Sequence, residues 1–169
     1  MKKFALVLFF AAGLGGCAGY RIGEVKPAYL KSVHSIAVNT FTSPSSFLPR
    51  IEELVTNTVI KQLQQDGTYT ITSGDKADAI LKGEVRAVAR NPVRALSGNV
   101  LATTEFNLGL TVRYTLVGRD GHIIAGPTDV GGGTSFFVGT DVASDQRQAL
   151  PLAAEDLAIH LASQLSEGW

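Results

Sequence analysis

Two long stretches of the chain alternate between apolar and polar side chains. In residues 79–90 the small and apolar positions are odd-numbered, from Ala79 to Ala89, and in residues 104–117 the large apolar positions are even-numbered. A period of two predicts β-strands, and a charged second face indicates a sheet that is covered on one side only. The pattern assigns these charged side chains to the uncovered face: Lys82, Glu84, Arg86, Arg90, Glu105 and Arg113.

A third stretch carries apolar residues at the spacing of a helix. Ile51, Val55, Val59 and Leu63 recur every four residues and form one stripe. This stripe predicts an amphipathic helix over residues 47–66. The expected N-cap is Ser46, and Gly67 supplies a left-handed residue that ends many helices.

A second apolar stripe predicts a C-terminal helix within residues 141–166, with Asp141 or Ser144 as its cap. Pro151 falls inside this stretch, where a proline removes one hydrogen bond and clashes with the preceding turn. The sequence therefore leaves two possibilities open. Either one helix kinks at Pro151, or a separate turn precedes a helix that begins there.

The remaining pattern completes one domain. Residues 32–41 and 69–72 are expected to form shorter strands, and the turn at Asp120-Gly121 predicts a hairpin whose returning strand follows residue 122. Pro127 and the glycines 131–133 favour an edge strand or a bulge there. Residues 91–103 are expected to form a loop.

The predicted order of elements is β-α-β-β-β-β-α. The apolar faces match if both helices cover the same side of the sheet. The fold class that follows is α/β (α+β): a two-layer sandwich with a mixed sheet of about four to five strands and two helices on one face. The other face of the sheet is left open and polar.

The first residues have the pattern of an export signal. Met1-Lys2-Lys3 precedes an apolar stretch that ends at Leu14, shorter than the roughly 20 residues needed to span a bilayer. Leu14-Gly15-Gly16-Cys17 resembles the lipobox of bacterial lipoproteins, in which the signal is cut before the cysteine and the new N-terminus is acylated. The alternative is an ordinary secretory signal that is cut near a cysteine. We expect the chain to divide into a signal peptide (residues 1–16), a lipidated tether (residues 17–31) and one sandwich domain (residues 32–169).

Composition narrows the function classes further. Cys17 is the only cysteine, so no disulfide forms within the chain and stability depends on packing. Lys2 and Lys3 leave with the signal, so 13 of the 15 basic residues remain against 15 acidic ones. This balance does not favour nucleic acid, whose binders are usually strongly basic.

No pattern typical of an enzyme or of a metal centre is found in the sequence. His34, His122 and His160 fall on a strand, a turn and a helix without ligand spacing, and Cys17 has no second cysteine beside it. The glycines 131–133 lack the lysine of a phosphate loop and lead into a strand. We therefore expect no cofactor, no metal site and no enzymatic activity.

The arginines of the open face are the candidate binding residues. Guanidinium groups bind phosphate and carboxylate groups in a bidentate way, so a phosphate-rich lipid or glycolipid head group would be a suitable ligand. The candidates, chosen for their charge and predicted face alone, are Arg86, Arg90, Arg94 and Arg113. The alternative is a solvated strand face on which Lys82, Glu84 and Glu105 pair across strands.

Several stretches together resemble the LptE family, the lipopolysaccharide-assembly lipoproteins of the outer membrane. The resemblance covers essentially the whole chain after residue 16, and it depends on the order and spacing of loosely matching pieces. These pieces are Cys17-Ala18-Gly19-Tyr20-Arg21-Ile22-Gly23, Ser35-Ile36-Ala37-Val38-Asn39-Thr40-Phe41, Ile51-Glu52-Glu53-Leu54-Val55, Ala77-Asp78-Ala79-Ile80-Leu81-Lys82-Gly83 and Phe136-Phe137-Val138-Gly139-Thr140-Asp141.

The resemblance implies a role without catalysis. Members of the family sit in the lumen of the outer-membrane β-barrel LptD as plug and folding partner, and are thought to bind lipopolysaccharide. It also implies a lipid-anchored protein of the outer membrane that faces the periplasm or the barrel lumen. Ala18 after the cysteine, rather than Asp, resembles the sorting pattern for the outer membrane.

The sequence leaves two other functions open. A lipoprotein that activates a peptidoglycan synthase, as in the LpoB group, has a similar small α/β domain, but such proteins usually carry a long tether. Here about 15 residues separate Cys17 from the first predicted strand, and at about 3.5 Å per extended residue they do not reach far into the periplasm. An unrecognised hydrolase is the third possibility, but the sequence offers no set of catalytic residues for it.

Overall fold

A five-stranded mixed sheet and two helices make up the described part of the chain. The structure is a computed structural model that describes residues 26–43, 48–96, 99–139 and 141–168, with 94–96 and 99–104 described by their backbone alone. A 3₁₀ turn (Ala28–Leu30) comes first. The other elements are β1 (Ser35–Val38), α1 (Ile51–Asp66), β2 (Thr70–Ile71), β3 (Ala79–Leu96), β4 (Asn99–Gly118), β5 (Ile123–Phe137) and α2 (Val142–Ser166).

The strands lie in the order β2-β1-β3-β4-β5. β1 is parallel to both of its neighbours, whereas β3, β4 and β5 form an antiparallel meander. β5 is therefore an edge strand, as Pro127 and the glycines beside it predicted, and its pairing with β4 is irregular between Tyr114 and Val117. The predicted order of elements and the α+β class are confirmed.

Both helices pack on the same face of the sheet and enclose one core with it. α2 packs on β5 and β4, and α1 packs against α2. Leu30, within the segment expected to be a tether, is fully buried in this core. The largest fully buried side chains are Leu30, Ile36, Phe41, Ile51, Leu63, Leu81, Leu108, Leu110, Leu116, Leu157, Leu161 and Leu165.

Two glycines on the covered face of the sheet allow this close packing. A Cβ atom at Gly132 on β5 would overlap the backbone of Leu157, so α2 can lie against the strand only because a side chain is missing there. A Cβ atom at Gly83 on β3 would overlap the ring of Phe41, which covers the strand at that point. Gly132 thus allows α2 to lie close to the sheet, and Gly83 makes room for the ring of Phe41.

The ends of α1 differ in part from expectation. The helix begins at Ile51, later than predicted, and the residue at its N-cap is Arg50, whose side chain forms no capping bond. Pro49 therefore precedes the helix, and Ser46 lies outside the described residues. Gly67 ends the helix as predicted, with φ of +75° and a hydrogen bond of 3.2 Å from its N–H to the carbonyl of Leu63.

α2 is one continuous helix with Pro151 in its interior. Asp141 caps it, since its carboxylate accepts a hydrogen bond of 3.0 Å from the backbone N–H of Ala143. Of the two arrangements that the sequence left open, a separate turn before Pro151 is thus excluded. Neither helix of the described chain has the length and apolar character that crossing a membrane requires.

The prediction of a loop at residues 91–103 is wrong. β3 continues to Leu96 and β4 begins at Asn99, so the two strands extend together as a hairpin well past residue 91. Pro92 is tolerated because the register shifts beside it, between Pro92 and Arg94, and a proline fits at such an irregularity. The hairpin projects past Phe137, where the pairing of β5 with β4 ends.

Candidate functional site

A β-bulge at Arg86 divides β3 into two halves with opposite orientation. Val85 pairs with Val112, and the next pair joins Ala87 to Thr111, so Arg86 has no partner on β4. An extra residue in one strand exchanges the two faces for every residue that follows. The strict alternation predicted for residues 79–90 is therefore wrong after position 85.

The bulge changes which side chains lie on the open face. Ala87 and Ala89, expected on the helix side, share the open face with Thr111 and Gly109 of β4. Arg90, expected on the open face, pairs with the buried Leu108 and lies on the helix side. The alternation could not reveal this, because the residues around the bulge are small and fit either face.

Arg90 is held on the helix side by two contacts. Its guanidinium lies 5.0 Å from the centre of the Phe106 ring and donates a hydrogen bond of 3.1 Å to Gln146 of α2. Phe106 in turn stacks on Phe136 with ring centres 5.9 Å apart. Arg90 therefore joins the end of the sheet to the start of α2, and it does not lie beside Arg86 and Arg113.

The charged residues of the open face lie next to one another on three strands. We call this group the charged ladder. Glu84 of β3 is opposite Arg113 of β4, which is opposite Asp129 of β5. The ladder consists of Lys82, Glu84, Arg86, Arg113 and Asp129, so it carries three positive and two negative groups.

Two ion pairs neutralise most of the ladder. The guanidinium of Arg113 donates two hydrogen bonds of 2.7 Å to the carboxylate of Asp129, and Arg86 donates one of 2.9 Å to Glu84. Both pairs are exposed to solvent, where such pairs contribute little to stability. The paired strand face that the sequence left as an alternative is thus present, with partners other than those expected.

The ion pair with Arg113 also sets the acidity of Asp129. The hydrogen bonds from Arg113, and then its charge, hold the pKa of Asp129 below its usual value. The same hydrogen bonds raise the pKa of Arg113. Asp129 lies in β5, in the part of the strand where Pro127 and the glycines nearby obscure the strand pattern in the sequence.

Lys82 is the cation of the ladder without a carboxylate partner in the described residues. It is exposed and lies opposite Thr115 of β4. Arg94 lies on β3 opposite Glu105, in the part described by its backbone alone. Of the four candidate arginines, the structure thus brings Arg86 and Arg113 together and places Arg90 on the other face. Cys17 lies outside the described residues.

A second group of polar residues surrounds a groove of about 390 Å³ beside the β4–β5 turn. Asp78 accepts hydrogen bonds of 2.9 to 3.0 Å from the N–H groups of His34 and Ser35 and from the Ser35 hydroxyl. These bonds, that from the His34 N–H first, lower the pKa of Asp78. Arg119 donates to the carbonyl groups of Ala77 and Lys76, at 3.0 to 3.1 Å. The charged groups of this groove therefore fasten β1 and the β4–β5 turn to the start of β3.

The histidines do not converge on a site. His34 is exposed before β1, His122 contacts Asp120 in the β4–β5 turn, and the Nδ1 of His160 lies 2.8 Å from the carbonyl oxygen of Gly131. Within the described residues no group of three or more His, Cys, Asp or Glu side chains could hold a metal ion. Every buried side-chain nitrogen or oxygen in the same part of the chain has a hydrogen-bond partner.

Comparison with known families decides the assignment. The model of the LptE family, described as lipopolysaccharide-assembly, matches residues 33–165. The chain belongs to the LptE family. The match covers the sheet and both helices, and it does not favour activation of a peptidoglycan synthase. LptE proteins are lipoproteins of a non-enzymatic family. Membership assigns the chain to lipopolysaccharide assembly in the cell envelope. No curated protein sequence matches the chain.

Solved structures share the fold at low sequence identity. A minor lipoprotein from Acinetobacter baumannii has a TM-score of 0.53 and 16% identity, and the alignment covers 79% of this chain and 93% of that one. A protein from Xanthomonas campestris has a TM-score of 0.57 and 11% identity, with 84% and 89% covered. A lipoprotein B from Nitrosomonas europaea has a TM-score of 0.50 and 11% identity, with 89% and 94% covered. At these identities the likeness concerns the fold alone.

Proposed function

We propose that this member of the LptE family is an outer-membrane lipoprotein, acylated at Cys17, that serves as plug and folding partner of the barrel LptD. The observation that carries this proposal is the family match over residues 33–165, which spans nearly all of the described fold. The two-layer architecture supports it, because no described element covers the second face of the sheet, which a partner can therefore contact. The lipobox-like Leu14-Gly15-Gly16-Cys17 supports the anchor.

Co-purification from native membranes tests the partnership with the barrel. A tagged full-length protein is extracted in mild detergent, and the bound material is examined for the LptD of the same cell. We expect LptD at about one copy per copy of the tagged protein. Absence of LptD from the purified material, with the tagged protein itself folded, would contradict the partnership.

Replacement of Cys17 tests the anchor separately. We expect Cys17→Ser to lose its acyl chains and to leave the outer-membrane fraction, because two or more chains are needed for stable attachment. The melting temperature of the domain should not change. The test is repeated in cells depleted of LptD, since the barrel could hold an unlipidated variant. A Cys17→Ser variant that still carries acyl chains by mass spectrometry would refute lipidation at this residue.

We further propose that the charged ladder binds the phosphate groups of lipopolysaccharide. Lys82 supports this most directly, because its ammonium group has no carboxylate partner in the described residues. Arg86 and Arg113 are already paired, so a phosphate must compete with Glu84 and Asp129 for them. We therefore add Lys82 to the candidates. Arg90 and Arg94 are candidates outside the ladder, since Arg90 lies on the helix side and Arg94 lies opposite Glu105.

Binding of purified lipopolysaccharide to the full-length protein tests this second proposal. We expect the pair Lys82→Ala and Arg113→Ala to weaken binding about tenfold or more, since a hydrogen bond to a charged group contributes about 1.5 to 3 kcal/mol. Arg147→Ala is the matched control, because it removes an exposed cation from α2 on the other side of the sheet. Equal binding by the double variant and the control would rule out the ladder, without touching the partnership with LptD.

A further inference from the structure

The two long edges of the sheet differ in how they are protected. β5 forms one edge, and β3 is open on its outer side after the short β1 has ended. An unpaired strand edge presents backbone N–H and C=O groups that can pair with another chain. An edge whose backbone groups are already bonded to side chains is closed to a partner, whereas an edge without such bonds can accept a strand.

Side chains of α2 cap the edge of β5. Asp156 accepts a hydrogen bond of 2.9 Å from the N–H of Gly133, and the Nδ1 of His160 donates to the carbonyl of Gly131 over 2.8 Å. The two residues lie one helical turn apart and reach the strand because Gly132 lets the helix approach it. An incoming strand would have to displace both of them.

The edge of β3 has no such cap in the described residues. β1 pairs with β3 from Ala79 to Leu81, and Thr42 adds a bridge to Glu84. From Ala87 to Asn91 the strand is regular, bounded by the bulge at Arg86 and by the register shift after Pro92, and no described strand pairs with it on its outer side. Five regular residues suffice for a short strand.

The charges along this edge distinguish between possible partners. Arg86 and Arg90 flank the regular segment on opposite faces, and Arg94 follows on the same strand. The nearest acid on β3 is Glu84, which pairs with Arg86, and Arg90 bonds to the neutral Gln146. A second copy of the same edge would bring arginines against arginines, which is repulsive. An acidic strand would meet them with opposite charge.

We propose that the edge of β3 at residues 87–91 pairs with an extended acidic segment of a partner protein. The backbone of the segment forms the sheet hydrogen bonds. Its carboxylates bind Arg90 on one face and compete with Glu84 for Arg86 on the other. This is the strand-addition mode of peptide recognition, in which the main chain supplies affinity and side chains supply specificity. The proposal does not depend on lipopolysaccharide binding or on LptD.

Amide hydrogen exchange of the full-length protein tests the proposal. The probe is a seven-residue peptide of valine and threonine with two adjacent glutamates near each end, so that carboxylates lie on both faces of the added strand. A peptide with lysine in place of glutamate is the control. We expect the glutamate peptide alone to slow exchange at residues 87–91, at least tenfold at saturation, without effect at residues 131–135. The variant Asp156→Ala with His160→Ala uncaps β5, so slowed exchange should then also occur at residues 131–135.

Each other outcome overturns the proposal. If neither peptide slows exchange at residues 87–91 while the uncapped variant gains protection at β5, the β3 edge does not accept strands. Protection at residues 87–91 by both peptides alike would remove the role of the arginines. Binding of the glutamate peptide without protection would indicate a surface contact of charges only. Protection that appears without peptide as the protein concentration rises would assign the edge to a second copy.

Discussion

Arg113 on β4 and Asp129 on β5 form a two-pronged ion pair across the open face of the sheet. Nε and Nη2 of the guanidinium each lie 2.7 Å from a different carboxylate oxygen. The two residues are directly opposite in the strand register, so the sheet itself holds them in this geometry. This pair makes the open face nearly neutral in spite of its arginines.

The ion pair predicts a specific dependence of stability on pH. Because Arg113 lowers the pKa of Asp129, the stabilisation is fully present above the unfolded value of about 3.9 and is lost as the pH falls through the lower folded pKa. We expect Asp129→Asn to melt slightly below the wild type at neutral pH and to converge with it in acid. Melting temperatures across the acid range measure this. Asp75→Asn, in an exposed turn, is the control and should not show the convergence. A gap that widens in acid would contradict the assignment.

Adding a single methyl group at Gly132 should lower the stability of the protein considerably. Gly132→Ala places a Cβ atom against the backbone of Leu157, so helix and strand must separate. Overpacking of this kind costs typically 1–3 kcal/mol, and we expect a loss of stability of about that size. Gly131→Ala is the matched control, because its Cβ would meet nothing closer than 3.7 Å. Urea unfolding measures both. Equal stability of the two variants would show that α2 does not depend on this contact.

Replacement of Asp78 should cause a local loss of order at the start of β1. Asp78→Ala removes the acceptor of the N–H groups of His34 and Ser35. We expect amide exchange at these two residues to speed up and the melting temperature to fall. Because the pKa of Asp78 is lowered in the fold, the difference from the wild type should shrink as the pH falls through that pKa. Asp75→Ala, three residues earlier, should leave exchange at both residues unchanged.

Replacement of Pro151 should stabilise the protein. The proline occupies the interior of α2, where it removes a backbone hydrogen bond and its ring clashes with the preceding turn, at a cost of about 3 kcal/mol. Its side chain is exposed, so little packing is lost on replacement. We expect Pro151→Ala to raise the free energy of unfolding by about 1–3 kcal/mol in urea titrations. Leu152→Ala, an exposed neighbour on the same helix, should change it much less. A Pro151→Ala variant that is less stable than the wild type would contradict this prediction.

The element order was predictable because each signal is local. The four-residue spacing from Ile51 to Leu63 specifies a helix, and the Asp120-Gly121 turn specifies a hairpin, whatever surrounds them. The edge position of β5 also followed from its proline and glycines. The extension of the β3–β4 hairpin did not follow, because Asn91 and Pro92 look like strand breakers when their pairing partners are unknown.

The candidate site was predictable only in part, for a reason of geometry. The sequence determined that the long strands carry one apolar face, that two helices cover it, and that charge is concentrated on the other face. Tertiary structure decided which charges meet. The single bulge at Arg86 moves Arg90 to the helix side, and strand register alone brings Asp129 to Arg113. A period of two is a property of one strand, whereas bulge and register belong to pairs of strands, and these pairs form only when the chain folds.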